Sequence, residues 1–131
     1  MKDLAVAKHE AAHIVVGVTC GLKLKHATIT PSGGLLGYAW FHGNPQGPHR
    51  EALALMYAAG VAWENGRSPA DRALLRGVCS GRHAELAIIR AADCMLVVRG
   101  ALIERVAHAL LRAGTLTGAD ISAIARGEST E

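Results

Sequence analysis

Five residues near the start of the chain, His9-Glu10-Ala11-Ala12-His13, form an HExxH motif. Side chains four positions apart lie on the same face of an α-helix, so His9 and His13 can direct ring nitrogens to one ion. Glu10 is placed to reach a metal-bound water without binding the metal itself. Zinc accepts imidazole ligands and lowers the pKa of a bound water, whose proton a nearby carboxylate can take. The motif therefore predicts a zinc-dependent hydrolase with Glu10 as general base.

The composition of the chain makes this match specific. With seven histidines in 131 residues, a chance HExxH match is expected only about 0.02 times in such a sequence. The flanking residues, among them Ala7, Ile14 and Val15, are apolar and predict a largely buried helix. Two neighbouring histidines on a buried helix need either hydrogen-bond partners or a metal ion. A metal site is the prediction, and a helical domain without metal is the alternative.

A zinc site needs a third protein ligand, which the local spacing does not identify. The longer motif HExxHxxGxxH is excluded, because Thr19 stands where its last histidine would be. The remaining candidates in helical segments are four acids: Glu51, Glu64, Asp71 and Glu85. Asp71 follows Ser68 by three positions, and an acid there can complete a helix cap and favour the helix dipole. The residues alone leave Asp71 equally well explained as a cap and as a ligand.

Periodicity along the chain predicts the elements that position these residues. Apolar residues recur at helical spacing from Leu4 to Cys20, and residues 22–42 then change to two extended runs. A turn at residues 31–34 separates the runs, and a loop at residues 43–48 follows. Helical patterns then cover residues 50–64, a segment starting at Ser68, residues 82–112 with a break near Gly100, and a short last helix to about Arg126. The predicted fold is mainly α, within the α+β class: an HExxH helix, a small sheet or hairpin, and a C-terminal helical bundle in one domain, 1–131.

Charge and cysteine content narrow the functional classes. The formal net charge is +3, and basic residues are scattered among acids, so no electrostatic footprint for nucleic acid is present. Cys20, Cys79 and Cys94 form no CxxC pair, so we expect buried free thiols in a reducing compartment. No apolar run reaches the roughly 18 residues that span a bilayer, and no signal-peptide pattern is visible. We therefore expect a cytoplasmic protein that does not insert into a membrane.

Several segments besides HEAAH resemble the peptidase domain of the FtsH-type, membrane-anchored AAA+ zinc proteases, over nearly the whole length. They are a strand segment at residues 26–40, a helix at residues 57–64 similar to the family's Gly-x-x-Ala-Glu helix, and a Thr-Leu closing pattern at residues 110–121. The resemblance implies a zinc endopeptidase that acts on unfolded or flexible polypeptides. The family's ATPase motif, GxxxxGK[ST], and its transmembrane anchor do not occur in this sequence. We therefore expect a stand-alone domain, which would need a separate ATPase or unfoldase for folded substrates.

The resemblance also implies roles for individual residues. In the family, an Asp at the start of the helix after the Ala-Glu helix binds zinc, and Asp71 matches that position, with flanking residues that depart from the family's pattern. The strand around Leu36–Ala39 would offer an edge to which an extended peptide adds. Electrophilic assistance to the reaction is unassigned, with His42 and His83 as candidates. The alternative function is a catalytically silent peptidase-like module that binds a peptide or protein partner.

Overall fold

Six helices and three short strands follow one another in the computed structural model, which describes residues 2–30, 37–42 and 47–127. In chain order they are α1 (Lys2–Thr19), β1 (Lys23–Thr28), β2 (Tyr38–His42), α2 (Arg50–Trp63), α3 (Pro69–Val78), α4 (Arg82–Val98), α5 (Gly100–Ala113), β3 (Thr115–Thr117) and α6 (Gly118–Ala125). The strands form one small antiparallel sheet. The mainly α architecture with a small sheet, predicted from the sequence, is confirmed.

Helix α1 lies in the middle of the molecule and carries the HExxH motif. It packs against α2, α5 and β1, and every residue from 10 to 17 is buried. Small and β-branched residues dominate this stretch, which lets the neighbouring helices approach closely. The helix ends where Gly21 adopts a φ of +92°, a left-handed conformation that glycine adopts without strain. The two motif histidines are therefore held in packed surroundings on a central element.

The sheet has the order β2-β1-β3, so β2 is an edge strand. Strand β1 pairs with β2 in a register that sets Thr28 opposite Tyr38, with an irregularity between Leu24 and His26. On its other side β1 pairs with β3. The sequence did not predict β3, because three residues are too few for an alternating pattern and their partner lies far away in the chain. Helix α6, which matches the predicted short last helix, begins with a capping box formed by Thr117 and Asp120.

Helix α2 packs against α1, α3 and α4 and links the two halves of the molecule. It ends close to the predicted residue 64, and Asn65 and Gly66 after it adopt φ values of 54° and 84°. Helix α3 then begins at Pro69, as the sequence predicts. The helical stretch 82–112 divides at Arg99, which caps the end of α4 and the start of α5. Helices α1 and α3 both pack against α2. This arrangement brings the first turn of α3 next to the HExxH motif of α1.

Some sequence predictions fall outside the described residues, and one is wrong. The turn at residues 31–34, the start of the second extended run at residues 35–36 and most of the loop at 43–48 lie outside them. The cysteines are free, but Cys94 is exposed and Cys20 and Cys79 are only partly buried, so the prediction of buried thiols is wrong. Helix α4 buries few of its residues, which leaves Cys94 facing outward. None of the described helices is both long and apolar enough to cross a membrane.

Candidate metal centre

Three side chains from two helices converge at one point. His9 and His13 come from α1, and Asp71 comes from the first turn of α3. His9 Nε2 lies 3.0 Å from Asp71 Oδ2, and His13 Nε2 lies 3.2 Å from Asp71 Oδ1. The two histidine Nε2 atoms are 3.2 Å apart. The group could hold a metal ion, and it consists of the three residues that the sequence and the resemblance named as ligands.

The spacing of these atoms suits a small tetrahedral ion. Ligand atoms that bind zinc at about 2.0–2.1 Å in tetrahedral geometry are separated from one another by roughly 3.3 Å. The three separations observed here, 3.0 to 3.2 Å, are close to that value, and the two histidines approach different oxygens of the Asp71 carboxylate. The donor set of two imidazole nitrogens and one carboxylate therefore fits a metal in both chemistry and geometry.

Both histidines are oriented by a hydrogen bond on the far side of the ring. His13 Nδ1 donates to the backbone carbonyl of Met56 at 2.7 Å. His9 Nδ1 donates to Glu64 Oε1 at 2.9 Å. When Nδ1 holds the proton, Nε2 presents its lone pair to the ion, and such outer partners are typical of metal-ligating histidines. Both partners belong to α2 or its C-cap, so this helix fixes the two rings.

The structure distinguishes the four acids considered as third ligands by their distance from the two histidines. Asp71 alone joins the histidines, and Glu64 is a hydrogen-bond acceptor for His9, in keeping with a structural role. Glu51 is exposed on α2, and Glu85 is buried on α4 in contact with two arginines of α3. Neither belongs to the cluster. The local sequence could not separate these four, because each occupies a plausible helical position.

The hydrogen bonds of Asp71 test whether it takes part in a helix cap. Ser68 occupies the N-cap position of α3 but makes no capping hydrogen bond with its side chain. Its Oγ instead donates to Asp71 Oδ2 at 2.6 Å. The serine thus holds the aspartate while both carboxylate oxygens face the histidines. The capping box that the sequence allowed does not form.

A glycine of α2 provides the space in which the cluster meets. A Cβ atom on Gly60 would collide with Asp71 Oδ2 and would lie 2.6 Å from His13 Nε2. Glycine is unfavourable inside a helix by about 1 kcal/mol relative to alanine, so its presence here has a steric reason. A glycine within a helical pattern is only a weak signal in the sequence, and sequence reasoning did not connect it with the site.

His9 and Asp71 carry opposite charges that stabilise each other. Burial lowers the pKa of His9, but hydrogen bonds to Asp71 and Glu64 outweigh that effect and raise it to about 9. Burial acts to raise the pKa of Asp71, yet hydrogen bonds from His13 and His9 hold it well below its usual range. Near neutral pH the cluster therefore pairs a protonated His9 with an ionised Asp71. A metal ion would have to displace that proton when it binds.

Glu10 lies next to the cluster and is not part of it. Its side chain is buried, and burial raises its pKa, although nearby His13 and His9 act in the opposite direction. Its carboxylate makes no hydrogen bond or ion pair with any residue that the structure describes. A carboxylate with a raised pKa, left free at the wall of a cleft, is suited to accept and return a proton.

An open cleft of about 300 Å³ gives access to the cluster. Its walls come from α1, β2, α2 and α3, and besides His9, Glu10, His13 and Asp71 they include Gly37, Tyr38, Ala39, Met56, Tyr57, Ser68, Ala70 and Leu74. Strand β2 thus runs along one side of the cleft, and it is an edge strand. Of the segment 36–39, which the resemblance named as a peptide-binding edge, residues 37–39 lie beside the cluster, and residue 36 is outside the described part of the chain.

The two histidines considered for electrophilic assistance do not line this cleft. His42 is exposed at the end of β2, and His83 is exposed in the first turn of α4. Tyr57 of α2 lies in the cleft wall instead. Its hydroxyl makes no hydrogen bond with any described residue, and burial together with the charge of Asp71 raises its pKa. The phenol therefore stays protonated and can donate into the cleft. Sequence reasoning missed Tyr57, which resembles an ordinary aromatic core residue.

Comparison with known proteins adds no further assignment. No protein-family model matches the chain, and no curated protein matches it. The resemblance to the FtsH-type peptidases therefore stays a prediction that rests on the motifs and their order.

Replacing Asp71 with asparagine tests the ligand role directly. Asparagine keeps the shape of the side chain and is a good residue for a helix start, but it loses the negative charge that binds a cation. We expect zinc affinity to fall by about 100-fold or more. The metal-free protein should also lose stability near neutral pH, because the ion pair between Asp71 and protonated His9 is lost. Competition with a chelating dye measures the affinity. Glu51→Gln, which removes an exposed carboxylate of α2, is the matched control. Unchanged zinc affinity in Asp71→Asn would contradict the ligand role.

Proposed function

We propose that this protein is a zinc-dependent peptidase, in which His9, His13 and Asp71 hold the ion and Glu10 is the general base. The observation that carries the proposal is the convergence of these three side chains next to Glu10, whose carboxylate has no hydrogen-bond partner among the described residues. Two imidazoles and one carboxylate leave a fourth tetrahedral position for water or substrate, as catalytic zinc sites require. A purely structural zinc site would need neither the open position nor a neighbouring base.

In the proposed reaction, the bound ion and Glu10 have different roles. When bound, zinc supplies a positive charge that acidifies a water and polarises the carbonyl to be attacked. Glu10 takes one proton from that water as the oxygen attacks the carbonyl carbon. It then delivers the proton to the departing amine as the C–N bond breaks. The remaining proton of the water passes from the new carboxylic acid to the amine, so the products are one carboxylate and one ammonium group, and Glu10 ends the cycle ionised.

The form of the cleft supports extended polypeptide as the substrate. Strand β2 lies at the sheet edge beside the cluster, so a peptide can add to it through main-chain hydrogen bonds. Pairing of this kind requires a segment without secondary structure of its own. We therefore propose unfolded or flexible polypeptides as substrates, similar to those of FtsH-type peptidases. A separate ATPase or unfoldase would be the partner for any folded substrate.

Tyr57 is expected to donate a hydrogen bond to the carbonyl oxygen as that oxygen gains negative charge. Replacing it with phenylalanine removes the hydroxyl and keeps the ring. Loss of one such donor lowers kcat by about 10²–10³-fold in other enzymes, and we expect a similar fall with little change in KM. Steady-state kinetics with a fluorogenic peptide measure both constants.

Tyr38→Phe is the matched control for this prediction. Tyr38 lines the same cleft, but its hydroxyl is 3.2 Å from His26 Nε2. Its removal is expected to change kcat several-fold at most, because the hydroxyl has another partner. Equal losses in the two variants, or full activity in Tyr57→Phe, would contradict the role of Tyr57.

Metal analysis combined with a cleavage assay tests the proposed function. The protein, purified and loaded with zinc, is expected to contain about one zinc ion per chain and to cleave casein. Removal of zinc with a chelator should abolish cleavage, and re-addition should restore it. Bound zinc with no cleavage of casein or of a peptide library would favour the catalytically silent binding module. Absence of any bound zinc at micromolar concentrations would rule out the zinc peptidase and leave the catalytically silent binding module.

A further inference from the structure

A second cavity, of about 340 Å³, lies between α3 and α4 and shares no lining residue with the metal cleft. Its walls are formed by Arg72 and Arg76 of α3, by the connection between the helices, and by Arg82, Glu85 and Leu86 of α4. It has the volume of about ten water molecules, which is enough for a small organic ligand. Nothing in the proposed peptidase reaction uses this cavity.

The floor of the cavity is a buried carboxylate held by two arginines. Glu85 accepts from Arg72 Nη1 at 2.8 Å and from Arg76 Nε at 2.9 Å. The two arginines are four residues apart, so their side chains lie on one face of α3. These contacts join α3 to α4 and account for one of the positive charges around the cavity.

Among the described residues, two of the three positive charges at this cavity remain without a carboxylate of their own. Arg76 uses only its Nε toward Glu85, and its side chain is 63% exposed, so its terminal nitrogens remain available. Arg82 is exposed and makes no hydrogen bond or ion pair with any residue in the described part of the chain. Three guanidinium groups against one carboxylate give a local surplus of two positive charges at a concave surface.

We propose that this cavity binds a phosphate dianion, either as the free ion or as the monoester of a small molecule. The surplus of two charges matches a dianion, and the planar donors of arginine suit phosphate oxygens. The cavity exceeds the size of one phosphate, and Leu86 and Cys79 give it an apolar wall that an organic substituent can contact. The site is independent of the metal centre and of the proposed peptidase activity.

Titration calorimetry with inorganic phosphate tests the proposal. The protein is freed of metal on a chelating resin, so that phosphate cannot bind zinc, and ionic strength is held constant with chloride. We expect saturable binding with one site per chain. In Arg82→Gln the affinity should fall about tenfold, the usual effect of losing one charged hydrogen bond. This variant should fold, because Arg82 is exposed and unpaired among the described residues.

Arg90→Gln is the matched control, since Arg90 is an exposed arginine of α4 that does not line the cavity. It should bind phosphate like the unmodified protein. A parallel titration with phenyl phosphate distinguishes a phosphate monoester from the free ion as the ligand. Tighter binding of phenyl phosphate than of inorganic phosphate supports a monoester, and weaker binding supports the free ion. Absence of saturable binding of both probes, or equal weakening in Arg82→Gln and Arg90→Gln, would overturn the proposal.

Discussion

Replacement of Glu10 with glutamine is expected to lower peptide hydrolysis by about 10²–10⁴-fold, the usual contribution of a general base. Glutamine has nearly the same shape but cannot take a proton from water at neutral pH. Zinc binding should persist at the same stoichiometry, because Glu10 is not among the three converging ligands. The variant should also be at least as stable, since burial disfavours the charged form of Glu10. Initial rates, zinc content and thermal unfolding measure the three effects.

A control for this variant is available on α5. Glu104 is 53% exposed and forms a surface ion pair with Lys8, so Glu104→Gln makes the same chemical change away from the cleft. Such pairs contribute little to stability, and its activity should match that of the unmodified protein. Full activity in Glu10→Gln, with zinc bound, would assign the proton transfer to another group. An equal loss of activity in Glu10→Gln and Glu104→Gln would indicate a general effect of removing a negative charge.

The part of the site that the sequence could predict is the part encoded by local spacing. His9 and His13 lie four residues apart on one helix, so their common face follows from helical geometry alone. The position of Glu10 beside the two histidines follows in the same way, because it is adjacent to His9 in the motif. The structure places all three at the same cleft. No tertiary information was needed, because the geometry of a single helix determines the arrangement.

Asp71 illustrates what local spacing cannot supply. It lies 62 residues beyond His9 along the chain, and its sequence context, three residues after a serine, is equally typical of a helix cap. The resemblance to a family pointed to it, and the contact with both histidines depends on α2, against which both α1 and α3 pack. The same residues, Ser68 and Asp71, would appear in the sequence whether Asp71 were a cap or a ligand. Only the position of Asp71 in the folded protein distinguishes the two roles.

The residues that sequence reasoning missed share a dependence on helix packing. Gly60 and Tyr57 belong to α2, and each is adjacent to the cluster only because of how that helix sits against α1 and α3. Strand β3 was missed for a related reason, since its three residues are ordered by pairing with β1. Nonlocal contacts of this kind leave little periodicity in the sequence.

Gly60→Ala is expected to disrupt the candidate metal centre although Gly60 is not one of its three proposed ligands. Alanine favours a helix over glycine by about 1 kcal/mol, but here its Cβ would overlap Asp71 Oδ2 and lie 2.6 Å from His13 Nε2. Neither neighbour can move freely, because Met56 holds His13 and Ser68 holds Asp71. Overpacking of this kind costs about 1–3 kcal/mol, so the steric cost exceeds the gain in helix propensity. We expect lower thermal stability and zinc affinity reduced by about tenfold or more.

Gly77→Ala provides the matched control, because Gly77 also lies within a helix but a methyl group added there would meet no atom within 4 Å. There the helix propensity acts alone, and the substitution should raise stability by up to about 1 kcal/mol without changing zinc affinity. Thermal unfolding and dye competition for zinc, applied to both variants, separate backbone preference from crowding at the cluster. A rise in stability and unchanged zinc affinity in both variants would mean that α2 does not set the spacing of the ligands. A loss confined to Gly60→Ala would show that the approach of α1 and α3, made possible by one missing side chain, determines the metal geometry.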